Sequence, residues 1–371
     1  MIQQDREQRG LEIANLNGQI KRLDDFTYKV KSQTGNGVYE VLNSDVGWIC
    51  ECPDHIYRGL KCKHIYAVEF SEKLRREVQA RRIEPITDVS TCIFCGSTNI
   101  VRDGVRHNKF GDIQIFNCKD CGRYFTFNLG FEKMKHNPQA VTTAMQLYFS
   151  GESLRNTKKS LRLLGVDVSH KTVFMWIKKY VSLMEEYVTK LKLNVSDTWR
   201  ADELWVKVNG DMKYVFALMD DETRYWIAQE VADTKYMHNA RKLFELGKEL
   251  MGKQPKTLIT DGLRSYQSAF LDVYATNPST TVHVRDAGLG KKLHNNKMER
   301  FNGEIRDREK VMRGLKTKDT PILKGYQIYH NYIRPHGALK GKTPSEMCGV
   351  EVKGENKWMT LIQNASKKET I

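Results

Sequence analysis

No stretch of this 371-residue chain strings together the roughly 18 apolar residues that a membrane-spanning helix requires. The N-terminal run Met1-Ile2-Gln3-Gln4-Asp5-Arg6-Glu7 lacks the apolar core of a signal peptide. Internal repeats and low-complexity tracts are missing as well. These absences exclude a membrane-spanning class and favour a cytoplasmic, reducing compartment, where clustered cysteines are metal ligands more often than disulfides. Acidic residues are in deficit: 45 Asp and Glu face 60 Lys and Arg, a net charge of +15. A polyanionic partner, nucleic acid or an anionic membrane surface, fits that balance, although a solvated lysine-rich face would give the same total.

What is present divides into segments. The length suggests two or three domains, and 40% hydrophobic residues allow a sizeable core. Residues 1–84 read as short strands, Tyr28–Lys31 and Val38–Val41 around a Gly35-Asn36-Gly37 turn, and then a helix whose basic end runs from Lys73 to Arg82 before Pro85. Residues 90–130 form a second small module, 137–193 a helical segment, 197–347 the largest segment, and 348–371 a C-terminal tail.

Seven of the eight cysteines lie between Cys50 and Cys121. Cys50, Cys52, Cys62 and His64 supply the four soft ligands of a closed tetrahedral zinc site. The competing reading is two unrelated cysteine pairs near a histidine. The C-x-C and C-x-H spacing resembles the SWIM-type zinc finger. Cys92, Cys95, Cys118 and Cys121 form two C-x-x-C knuckles separated by 22 residues. This pattern resembles a zinc ribbon, with Gly96 and Gly122 placed where a tight turn needs positive φ. A redox pair is the alternative, disfavoured because the motif occurs twice. Both zinc ions would be structural. Cys348 stands alone and has no predicted chemistry.

Between the modules, Ala144, Leu147 and Tyr148, then Leu154 and Leu161, then Val173, Trp176, Ile177, Tyr180 and Val181 recur at helical spacing, with Ser169 as an N-cap. Three helices with a glycine before the last resemble a helix-turn-helix. Its third helix would turn His170, Lys171, Phe174 and Lys178 toward a major groove, with a connector helix over Val181–Leu193. A plain helical linker would share the periodicity.

The last segment predicts three strands, Trp199–Val208, Lys213–Asp220 and Tyr225–Ala228, joined by Asn209-Gly210 and Asp221–Thr223 turns. A helix over Met237–Met251 follows, then a short strand Thr257–Thr260 ending on Asp261-Gly262, a helix from Leu263, a strand Thr281–Val284, and a helix from Asn295. Three antiparallel strands followed by alternating helix and strand is the order of the RNase H-like fold, which makes the chain an α/β (α+β) multidomain protein. The segments around Asp202, Asp261 and Glu299, with 58 and 37 residues between them, resemble the acidic motifs of insertion-sequence DDE transposases. Met312–Lys316 and Tyr329–Leu339 add to that resemblance, which covers Asp197–Met347.

The resemblance implies a DNA transposase in which Asp202, Asp261 and Glu299 hold Mg²⁺ (or Mn²⁺) and cut and join element ends and target DNA. It further implies a homodimer or higher assembly, located at a prokaryotic nucleoid. Mg²⁺ takes hard carboxylate oxygens, and phosphoryl transfer uses paired metals. Ordinary surface carboxylates are the competing reading. Glu203 rivals Asp202, but strand alternation assigns it the opposite face. Glu304 and Glu309 rival Glu299, which lies at the edge of the Met298, Phe301, Ile305 and Met312 stripe. Arg300, Arg306, Arg308, Lys310, Arg313 and Lys316 read as a track for the DNA backbone or as a solvated basic face. Tyr329, Tyr332, Arg334 and His336 fit DNA contact and core packing equally. The alternatives are a non-catalytic zinc-dependent DNA-binding regulator derived from a transposase, and an RNase H-fold nuclease acting on RNA–DNA hybrids.

Overall fold

The computed structural model describes residues 2–367 apart from 17, 25, 34–36, 45–46, 80, 87–88, 109–110, 127–128, 133, 276–280, 286–295 and 313–320. The predicted Gly35-Asn36-Gly37 turn, Arg313 and Lys316 therefore fall wholly or partly outside the described residues. The chain divides into two compact units, Met1–Ala80 and Arg81–Ile371.

The first unit begins with α1 (Ile2–Asn15), which the sequence reading did not anticipate. An antiparallel sheet follows in the order β1 (Ile20–Arg22), β2 (Thr27–Lys31), β3 (Val38–Ser44), β4 (Gly47–Cys50). Next come α2 (Pro53–Arg58) and α3 (Lys63–Gln79). The alternation of β2 buries Tyr28 and Val30 and exposes its lysines. Their core partners are Ile13 of α1, Val41, and Ile65 and Val68 of α3. Gly10 lets α1 lie against α3: a Cβ there would stand 2.4 Å from Cβ of Tyr66.

In the second unit, β5 (Arg81–Ile83) is a strand, so the helix predicted to run on to Arg82 stops at Gln79. Its partner is β14 (Val350–Val352), paired in parallel. A ribbon follows: β6 (Ile100–Asn108), β7 (Gly111–Cys118) and β8 (Tyr124–Thr126), all antiparallel. Three helices come next, α4 (Pro138–Ser150), α5 (Leu154–Leu163) and α6 (His170–Val188). Ser153 and Ser169 cap α5 and α6 by accepting from the backbone N–H of Asn156 (3.1 Å) and Thr172 (3.0 Å). The predicted connector is largely the continuation of α6, which runs unbroken for 19 residues.

The largest sheet is built from β9 (Thr198–Val208), β10 (Asp211–Asp220), β11 (Trp226–Ala232), β12 (Thr257–Thr260) and β13 (Val282–Arg285). Its spatial order is β11-β10-β9-β12-β13. The first three strands are antiparallel, while β12 runs parallel to β9 and β13 parallel to β12. That mixed pairing and order are those of the RNase H-like fold. Helices α7 (Met237–Met251) and α8 (Arg264–Val273) lie between β11, β12 and β13 in sequence, and α9 (Asn296–Met312) follows β13. Met298, Phe301 and Ile305 of α9 are buried, as their spacing requires. At Gly247 of α7 a Cβ would stand 2.3 Å from Cδ2 of Leu218, so the Leu218 side chain would have to shift to admit one.

After α9, α10 (Pro321–Ile328) runs into a π-helical turn, Tyr329–Ile333, and then α11 (Pro344–Met347) and α12 (Lys357–Ala365). The stretch read as a tail is packed into the unit, with Trp358, Leu361 and Ile362 of α12 buried in the same core as α4 and α6. At the sheet edge, Asn331 takes the place of a neighbouring strand. Its Oδ1 accepts from the N–H of Trp226 (2.9 Å) and its Nδ2 donates to the Trp226 carbonyl (3.0 Å). Gln327 Nε2 donates to the same carbonyl at 2.8 Å.

Candidate active site and cysteine clusters

The sheet register brings two carboxylates level. In the β9–β12 pair, Thr257 stands opposite Thr198, Leu258 opposite Trp199 and Ile259 opposite Arg200. Two more steps along each chain reach Asp261 and Asp202. Asp261 lies one residue past the end of β12, where its Oδ1 accepts from the N–H of Leu263 at 3.0 Å. Oxygens of Asp202, Glu203 and Asp261 all lie within 4.8 Å of one another.

The third member of this cluster is Glu203. Glu203 does point to the opposite face, where it accepts from Tyr266 of α8 (2.9 Å) and Lys235 ahead of α7 (2.6 Å). Its longer side chain nonetheless brings a carboxylate oxygen within reach of both aspartates. Glu299 is not in the cluster of described carboxylates. It is exposed in the first turn of α9. The side chain of α9 that touches an aspartate is Asn302, one turn further on, whose Nδ2 donates to Asp202 Oδ2 at 2.9 Å. Lys297 pins the start of α9 by donating to the carbonyl and carboxylate of Asp221, both at 2.9 Å.

Burial first, and then the charges of Glu203 and Asp261, push the Asp202 carboxyl up to about 7. Negative charge is thus crowded here, with the Lys235 ammonium engaged on Glu203. Hard oxygens converging in that way suit a divalent cation such as Mg²⁺.

Of the rival carboxylates on α9, Glu304 is held by Arg334 at 2.6 Å. Glu309 accepts from the backbone N–H of Lys207 at 3.3 Å. Among the predicted DNA-contact residues, His170, Lys171, Lys178, Arg300 and Arg306 are exposed. Phe174 is half-buried against the core instead of pointing outward. Arg308, read with the basic track, is buried with its guanidinium 5.1 Å from the centre of the Tyr148 ring. Tyr329, Tyr332 and His336 are core residues, and Tyr332 shares a hydroxyl hydrogen bond of 2.8 Å with Tyr225. Cys348 is buried, and its thiol donates to Thr223 at 3.2 Å.

Both cysteine groups converge. Donor atoms of Cys50, Cys52, Cys62 and His64 lie within 4.8 Å of one another, as do those of Cys92, Cys95, Cys118 and Cys121. None of the eight cysteines is in a disulfide. Four ligands placed about 2.3 Å from a tetrahedral centre stand about 3.8 Å apart. The Cys92–Cys121 and Cys95–Cys118 sulfur separations are 3.7 and 3.6 Å, and Cys50 Sγ is 3.9 Å from His64 Nδ1. Gly96 and Gly122, at φ +75° and +66°, make the knuckle turns.

The mixed sheet thus brings two aspartates level on neighbouring strands. Residues 196–336 match the model of the IS240-type DDE domain. The chain is similar to the Staphylococcus aureus transposase for insertion sequence-like element IS431mec, at 26% identity over 220 residues, covering 57% of this chain and 92% of that protein. The S. aureus transposase for insertion sequence element IS257 in transposon Tn4003 gives the same figures. A Methanobrevibacter smithii relative, the insertion element ISM1 uncharacterized 48.3 kDa protein, is 24% identical over 237 residues, covering 59% of this chain and 57% of its own. Among solved structures, the HTLV-2 integrase catalytic core in complex with magnesium (trimeric form) aligns over 43% of this chain and 98% of its own, with 15% identity and a TM-score of 0.32. The chain carries a DDE transposase domain and is an enzyme of that class. No helix among the described residues is long and apolar enough to cross a membrane.

Proposed function

We propose that this enzyme cleaves the ends of an insertion sequence and joins them to target DNA, using Asp202, Asp261 and Glu299 as its metal-holding carboxylates. The observation that carries the reading is the parallel β9–β12 register, which sets Asp202 and Asp261 at one level with their oxygens within 4.8 Å. Two divalent cations bound there would stabilise the attacking and leaving oxygens of an in-line displacement. In the first step a water oxygen bonds to phosphorus, the P–O3′ bond breaks, and the leaving 3′ oxygen takes up a proton. In the second, that 3′-OH attacks a target phosphodiester and releases a new 3′-OH, so the number of ester bonds is conserved.

The chain's own groups have distinct parts. Asn302 fixes the Asp202 carboxylate, leaving Oδ1 to accept from the backbone N–H of Glu203 at 2.9 Å. Lys297 anchors the turn of α9 that bears Glu299. Lys235 and Tyr266 hold Glu203 as a neighbouring carboxylate. His170, Lys171 and Lys178 on α6 would meet the element end in the major groove, and Arg300 and Arg306 the DNA backbone. The two cysteine groups would hold structural zinc, as SWIM-type and ribbon modules. Their converging donors support that assignment. The active species would be a dimer or larger assembly holding two ends.

The test uses the full chain, Mg²⁺, and duplexes carrying the inverted repeats that flank its gene. Wild type should cleave and join. Asp202→Asn, Asp261→Asn and Glu299→Gln should bind DNA but lose both steps by at least 1,000-fold (order of magnitude). Glu304→Gln should stay active, because its partner is Arg334. An active Glu299→Gln would remove Glu299 from the triad. A wild type inert on such duplexes would overturn the enzymatic reading on DNA ends.

A further inference from the structure

Beside the acidic cluster lies a surface of which the roles assigned above use only Lys235. Trp205 on β9 stands opposite Tyr214 on β10 in the strand register. Their ring centroids are 4.1 Å apart with the planes inclined at 47°. Lys235 links this pair to Glu203, whose carboxylate reaches the two aspartates. Its ammonium donates to Glu203 at 2.6 Å and lies 4.9 Å from the Tyr214 ring centre and 5.8 Å from that of Trp205. Tyr236, the next residue, is 66% exposed, and Trp205 itself is 45% exposed. Cross-strand aromatic pairs normally stabilise a hairpin by covering one another. Here the larger ring keeps nearly half its surface in water, next to an ammonium and two residues along the same face from Glu203.

Exposed aromatic faces interleaved with cations are what unpaired bases stack on, since every base has a π-face and each phosphate seeks a positive charge. We propose that Trp205 and Tyr214, with Lys235 and Tyr236, form a stacking platform for an unpaired nucleobase of the DNA strand whose phosphate reaches the acidic cluster. The inference rests on the reading of that cluster as a DNA-cleaving site. Such a platform would hold an unstacked nucleotide at the cleaved end, so that the neighbouring phosphate does not drift between cleavage and joining. Specificity is for single-stranded character and not for sequence.

The test uses the full chain with two probes: a 15-nucleotide oligothymidylate, and a duplex of equal length with blunt ends. Trp205→Ala should weaken oligothymidylate binding about tenfold, the scale of one lost base–aromatic stack, and change duplex binding less than about twofold. Trp205→Phe, which keeps a π-face, should recover most of the loss. Trp205→Leu, which keeps apolar bulk without one, should not. That contrast still decides the matter if Trp205→Ala fails to fold. A folded Trp205→Leu that binds oligothymidylate as wild type does would overturn the proposal. Equal weakening of both probes would also overturn it, since the residue would then serve general DNA affinity. If wild type fails to cleave DNA but shows the Phe and Leu contrast, the platform stands and the catalytic reading falls. If wild type cleaves DNA and the contrast is absent, the reverse holds.

Discussion

The thiol clusters and the carboxylate cluster gather charge in opposite ways. In each cysteine group four donors face one another and close the shell; all four are buried in Cys50, Cys52, Cys62 and His64. The carboxylate cluster is partly exposed and its proposed third ligand comes from a separate helix. A closed shell is suited to holding a fold together, and an open one to admitting a substrate oxygen. The two thiol clusters also differ from each other. The first sits in a core that includes Ile13, Tyr28, Val30, Val41, Ile65 and Val68. The second is surrounded by little more than Phe116 and Phe125, with Cys95 exposed. With zinc bound as proposed, the smaller apolar core would leave more of that module's stability to the metal.

Breaking the closed shells should therefore give the largest effects. Purified protein is expected to hold about two Zn²⁺ per chain. Cys118→Ser should lose one and unfold residues 91–127, read as new protease cleavage within the ribbon. Cys52→Ser should also lose one metal, yet leave the larger hydrophobic cluster of the first unit protected. Equal collapse of both modules would break the distinction drawn from core size.

The open cluster should respond to pH and Mg²⁺ instead. The Asp202 carboxyl, at about 7 in the fold against an ordinary value near 3.9, favours folding when protonated. Its stabilising contribution is full below pH 4 and is lost as pH rises through 7. Without divalent cations, the melting temperature of the second unit should fall between pH 4 and 7 and level off above. Mg²⁺ or Asp202→Asn should flatten that slope. A slope unchanged by Asp202→Asn would assign the titration elsewhere.

A smaller effect is expected at Lys297. Lys297→Met removes the anchor to Asp221, but Asp221 keeps its ion pair with Arg200, so stability should fall by only about 1 kcal/mol. If α9 positions Glu299, the cleavage rate should drop several-fold while DNA affinity holds. The smallest change should come from Lys171→Ala and Lys178→Ala, which should each lower affinity for the element end modestly and reduce its salt dependence by about one counterion.

The sheet was legible because its strands alternate or run apolar between turn residues, and Asn209 at φ 52° and Gly210 at φ 99° make the predicted hairpin turn. The resemblance to the acidic motifs picked out both aspartates, Asp202 within β9 and Asp261 just past the end of β12. Other features had no local signal. Helix α1 is mostly polar and carries Gly10 within it; its reason to be helical is its contact with α3, which no window of sequence contains. Asn302 is a neutral amide on a buried stripe, and only the fold reveals what it faces. Alternation gave the correct face for Glu203 but not the reach of its side chain. The pairing of β5 with β14 joins residues from opposite ends of the second unit, beyond any local pattern. Tyr332 and His336 have the composition of a DNA contact, and only burial decides that they are core.

The capping of Trp226 by Asn331 and Gln327 has a consequence for biosynthesis. Strand β11 closes one side of the sheet, and an open strand edge invites pairing with another chain. The side chains that occupy the start of this edge are made about 100 residues after it, so at 5–20 residues per second it stays bare for about 5–20 s on the ribosome. Nascent chains truncated between Ala232 and Gln327 would carry the uncovered edge permanently, whereas the finished chain covers its start with its own amides.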